Sequence, residues 1–106
     1  MSTHESAIHQ AVRLVDEIVR LAFGAPRMPR SEAYQAGVRD QLRARALSCQ
    51  MLCPYPQGTA EADAWFAGMD EGNALWRAEL ARQAAAAETM RTAIGHAMAA
   101  RGRAAS

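Results

Sequence analysis

The chain predicts an all-α fold, on three observations. Apolar residues recur at three- and four-residue steps through every long segment. No segment alternates apolar and polar residues as a half-buried strand does. The composition, third, is that of helices: 25 of the 106 residues are Ala, while Leu, Ile, Val and Phe together number 16. Ala, Arg, Glu, Gln, Met and Leu are strong helix formers, so these counts describe Ala-rich helices around a thin core. So few large aliphatics would imply disorder in a highly charged chain, but the net charge here is +1. The length suits a single domain, residues 1–106. No run of eighteen apolar residues predicts a membrane span. The N-terminal Met-Ser-Thr-His-Glu lacks a basic lead and an apolar run, so a cytoplasmic address is expected.

The first helix, over residues 1–24, opens on Ser2 and Glu5 at capping-box spacing. Ile8, Ala11, Val12, Val15, Ile18, Val19 and Ala22 then form one apolar face. Gly24 is the expected C-terminal cap, and Pro26 and Pro29 stiffen a connector at 25–30. Ser31 caps the second helix, whose apolar side is Tyr34, Val38, Leu42 and Ala46 and which runs into the high forties. The two prolines and glycine of Cys53-Pro54-Tyr55-Pro56-Gln57-Gly58 exclude a continued helix there.

Thr59 caps the third helix. Its stripe is Trp65, Met69, Gly72, Trp76, Leu80, Gln83, Ala87, Met90 and Ile94, a narrow seam of the coiled-coil kind. Unbroken from residue 60 to about 94, such a helix is roughly 50 Å long. Gly95 and Gly102 mark where it should fray, so 78–106 reads as a helical extension with a frayed tail.

Three pieces in the middle of the chain carry a resemblance. They are Tyr34-Gln35-Ala36-Gly37, Cys53-Pro54-Tyr55, and Trp65-Phe66-Ala67-Gly68. In that order they resemble the bacterial ribosome modulation factor family over roughly residues 31–77. The resemblance implies two helices joined by a Pro-containing linker, and binding to the small ribosomal subunit or its RNA during ribosome hibernation. Met69 and Asp70 stand where the family carries a Trp and an Arg, and the Gly37–Cys53 spacing is longer than the family's.

The same residues have a reading of their own. Gly37 and Gly68 lack side chains, so they allow a close crossing of helices two and three, bracketed by Trp65 and Trp76. Tyr55, held between two prolines, lids the helix pair or meets a ligand.

Charge is uneven: residues 1–26 carry −1, 27–53 carry +3, 54–76 carry −4 and 77–106 carry +3. All twelve basic residues are Arg. Arg39 and Arg43 sit one turn apart on the second helix, with Arg45 nearby and Arg27 and Arg30 in the connector. Arg grips phosphate well, so Arg39, Arg43, Arg45 and Tyr55 are the candidate RNA-binding residues. The −4 segment repels phosphate and favours the alternative, a helical protein–protein interaction or adaptor module.

Catalysis is not expected. Asp63 and Asp70 lie two turns apart, opposite the tryptophan stripe, pointing outward in parallel instead of converging. No nucleophile motif or phosphate loop is present. Cys49 and Cys53 share a face only if the second helix extends that far, and His4, His9 and His96 lie at distant ends, so neither metal nor cofactor is expected. Two reduced thiols are the simpler reading. The apolar stripes of helix one and of Leu80–Ile94 need covering. Helix three folding back on helix one would do this, and so would a second copy; a homodimer with both stripes at its interface is the expectation.

Overall fold

The computed structural model describes residues 3–105, with side chains from Ser6 to Arg103. The element order is α1 (Thr3–Gly24), α2 (Glu32–Leu47) and α3 (Ala60–Ala105), with no strand among the described residues. The all-α, three-helix architecture with a long last helix is therefore present. No helix among the described residues is long and apolar enough to cross a membrane. The chain divides into two compact units, Met1–Trp76 and Arg77–Ser106.

Within the first unit both expected N-caps form. The Ser31 hydroxyl accepts the Tyr34 N–H at 3.2 Å, and the Thr59 hydroxyl accepts the Ala62 N–H at 3.2 Å. Each satisfies one of the four N–H groups that a helix start leaves without a partner. The Ser2–Glu5 capping box lies outside the described residues. Helix α2 ends on Ser48, which takes a left-handed φ of 53°, and the Cys49 N–H returns to the Ala44 carbonyl at 2.9 Å. Helix α1 ends at Gly24, where the sequence places its cap, although among described glycines only Gly58 has a positive φ. The end of α1 is satisfied instead from the connector, where the Arg27 guanidinium donates to the Ala22 carbonyl at 3.2 Å.

The core is Val15, Val38 and Leu42, all fully buried, with Ile18, Val19, Phe23, Tyr34, Ala46, Leu75 and Trp76 packed against it. The apolar face of α1 thus finds its cover on α2 and the start of α3. The expectation that it needs the Leu80–Ile94 seam or another chain is corrected for Val15, Ile18, Val19 and Phe23, while Ile8 and Leu21 stay exposed. A short α2 suffices because its stripe faces two ways: Val38 and Leu42 meet α1, while Gly37 meets α3.

The crossing of α2 and α3 is close at three glycines. A Cβ on Gly37 would fall on the Trp65 carbonyl, and one on Gly68 on the Tyr34 carbonyl. At Gly72 it would lie 2.9 Å from the Val38 carbonyl and from the Gln41 Cβ. Trp65 is 1% exposed and is the largest fully buried side chain.

The second unit is helical through Ala105, so Gly95 and Gly102 do not end α3. A glycine inside a helix costs only about 1 kcal/mol relative to Ala, which the surrounding Ala-rich helix outweighs. Its surface carries the ion pairs Glu79–Arg82 and Glu88–Arg91, both at 2.6 Å and both at i,i+3.

Candidate functional site

Helix α2, the connector and the start of α3 converge on Glu71. Arg27 donates to both carboxylate oxygens, at 2.9 and 2.8 Å, and the Tyr34 hydroxyl donates to the same group at 2.6 Å. The bidentate arginine first, then the tyrosine hydrogen bond, hold the Glu71 carboxyl down at about 2. The same contact with Glu71, aided by burial, pushes the Tyr34 phenol up. The Arg27 guanidinium lies over the Phe23 ring at 4.6 Å, and Arg30 lies over the Tyr34 ring at 4.6 Å. Both connector arginines, Arg27 and Arg30, are therefore engaged inside the unit.

A second polar pair locks the crossing. The Trp65 indole N–H donates to Asp40 Oδ2 at 3.0 Å, and Gln41 donates to Asn73 at 2.7 Å. These contacts, with Glu71, were missed by sequence reasoning because their partners are 25 to 44 residues apart. Spacing within one helix carries no signal for them.

All three candidate RNA-binding arginines lie on α2. Arg39 and Arg43 are half-buried and share one side, while Arg45 is exposed in the last turn. Two residues at about 100° each turn Arg45 roughly to the opposite side of the helix from Arg43. None has a carboxylate partner among the described residues, and Arg43 Nε is buried without a hydrogen bond.

Tyr55 lies elsewhere, half-buried in the connector at 48–59. It walls two surface cavities. One, of about 390 Å³, includes Ser31, Glu32, Ala33 and Glu61; the other, of about 560 Å³, includes Cys53, Gly58, Asp63 and Phe66. Arg39, Arg43 and Arg45 line neither. Along the α2 axis, Ala33 and Arg45 are about 18 Å apart. The structure thus keeps Tyr55 among carboxylates at the start of α2 and places Arg45 at the other end.

The cysteines do not share a helix face, since α2 stops at Leu47. Cys49 is exposed, and the Cys53 thiol points to the Tyr55 carbonyl at 3.6 Å. Asp63 and Asp70 are both exposed on α3. Among the described residues, no three His, Cys, Asp or Glu side chains gather closely enough to hold a metal ion. No protein-family model, curated protein or solved structure matches the chain.

Proposed function

We propose that the chain is a non-catalytic helical protein-interaction module whose first unit binds a partner protein around Tyr55. One observation carries this reading: Tyr55 stands between two open cavities with Phe66, 54% exposed, and with Glu32, Glu61 and Asp63 as the charged groups of their walls. Aromatic rings on a rigid loop are typical anchors of protein recognition, and a carboxylate rim repels nucleic-acid phosphate. A photo-cross-linking residue at Phe66 tests it in cells. Protein adducts from that position, absent when the cross-linker replaces Gly102, support the reading; RNA adducts from it sink the reading.

Ribosome or RNA binding is the second reading, favoured by Arg39, Arg43 and Arg45, which have no carboxylate partner among the described residues. The resemblance to ribosome modulation factor points the same way. Sedimentation of cytosolic extract on a sucrose gradient tests it. Co-migration with ribosomal particles supports it, and replacing all three arginines by Gln should then flatten the salt dependence by about two to three units of slope. Protein that stays at the top of the gradient ends it.

For the second unit the proposed partner is another copy of the chain. Leu80, Gln83, Ala87, Met90 and Ile94 follow the 3-4 spacing of a two-stranded coiled-coil seam, and none of the five carries a charge. Leu80, Met90 and Ile94 are 44%, 63% and 51% exposed. The interface is narrower than the sequence implies, because Val15, Ile18, Val19 and Phe23 of α1 already pack into the core of the first unit.

A further inference from the structure

The first unit twice seats an arginine on an aromatic ring. Arg27 stacks on Phe23 while it grips Glu71, and Arg30 stacks on Tyr34, whose hydroxyl donates to that same carboxylate. In both places a flat guanidinium covers a ring face close to a carboxylate. The cavity of about 560 Å³ beside Tyr55 repeats those ingredients without the cation. Its walls hold the rings of Tyr55 and Phe66 and the carboxylate of Asp63, the one charged side chain that lines it. Asp63 is exposed and has no ion pair among the described residues. Phe66 is held in place by edge-on packing against the buried Trp65 at 5.1 Å, so it presents its ring at little cost in order. Glu32 and Glu61 line the neighbouring cavity on the other side of Tyr55 and add to the negative potential there.

We propose that this cavity is an arginine-binding site, filled by the side chain of an arginine in a basic segment of a partner protein. The inference rests on the protein-interaction reading and names the chemistry of its partner. Arg fits better than Lys because the planar guanidinium stacks on an aromatic face and offers a two-pronged edge to the carboxylate. A phosphate-bearing ligand does not fit, since the lining holds a carboxylate and no cation.

The test is an NMR titration of the isotope-labelled full chain with a Gly/Ser-rich octapeptide carrying two arginines. The same peptide with citrulline at both positions keeps the shape and loses the charge. The arginine peptide should move the Gly58, Asp63 and Phe66 resonances and bind about fivefold or more tightly than the citrulline peptide. Asp63→Asn should abolish that preference, and Phe66→Ala should weaken binding of the arginine peptide. Both positions are exposed, so an unchanged melting temperature serves as the control for folding. Equal binding of the two peptides, or an arginine preference that survives Asp63→Asn, overturns the site. A short oligoribonucleotide that moves the same resonances overturns it too. Protein adducts from Phe66 in cells combined with no arginine preference would leave the interaction reading standing and remove only this inference.

Discussion

The Tyr34 carbonyl occupies the place where a side chain on Gly68 would begin. The relationship is reciprocated three residues along each helix, where the Trp65 carbonyl occupies the place of a side chain on Gly37. An aromatic residue followed three positions later by glycine therefore appears on both helices, and each backbone fills the gap left by the other's glycine. Because the obstacle is backbone, no rotamer change relieves it. Gly68→Leu and Gly37→Ala should each lower stability by about 1–3 kcal/mol, read from the denaturant midpoint. An unchanged midpoint would refute the close crossing.

Gly95 and Gly102 make the opposite prediction. Nothing lies within 4 Å of a Cβ built at either position, and both are inside α3. Replacing either with Ala should raise helix content by circular dichroism and add about 0.5–1 kcal/mol to the stability of the second unit.

Glu71 predicts an acid-side loss of stability. Its carboxyl, ordinarily near 4.5, is held at about 2 in the folded chain by Arg27 and then by the Tyr34 hydrogen bond. The unfolded chain therefore binds the extra proton first as the pH falls. This contribution is complete above about pH 4.5 and fades as the pH drops toward 2. Glu71→Gln should be less stable than wild type at pH 7 and lose less between pH 5 and 2. Glu79, also held at about 2 by Arg82 and Gln83, adds a similar slope in the second unit. The Glu71 effect should accordingly be followed through tryptophan fluorescence, since Trp65 and Trp76 both belong to the first unit.

Asp40 is the only hydrogen-bond acceptor given to the Trp65 indole among the described residues. Asp40→Ala should strand that buried N–H at a cost of about 1–3 kcal/mol. Asp40→Asn keeps an acceptor oxygen and should recover part of the loss, in thermal melts of both variants.

Self-association is expected through the second unit alone. Light scattering at micromolar concentration should give a dimer mass for the wild type and a monomer mass for Met90→Asp with Ile94→Asp. A monomer mass for the wild type would show that the seam stays unpaired.

Legibility in the sequence followed the range of the interaction. The caps at Ser31 and Thr59 were readable because cap and first turn lie within three residues of each other. The stripe Tyr34–Val38–Leu42–Ala46 was readable from helical period, and the Gly37–Gly68 approach from the absence of side chains beside large ones. Glycine proved an uneven guide to helix ends, however. Gly24 closes α1 as expected, but Gly95 and Gly102 sit inside α3, while α2 stops on a left-handed Ser48. The Arg27–Glu71–Tyr34 lock joins positions 37 and 44 residues apart, so its members looked like ordinary surface charges and a core tyrosine. For the same reason the covering of α1 by α2 was not anticipated.

The interlocked aromatic–glycine tetrads have a consequence for how such a chain can change in length. One residue inserted between Tyr34 and Gly37, or between Trp65 and Gly68, turns everything beyond it by about 100° and swings a glycine out from under its carbonyl. The connector at 48–59 obeys a gentler rule, because closing a loop of twice the length costs only about 0.6 kcal/mol more. Additions between Ser48 and Pro54 should therefore leave the clasp shut while carrying Tyr55 to new positions above it. The clasp behaves as a fixed joint, and the loop as the part free to acquire new partners.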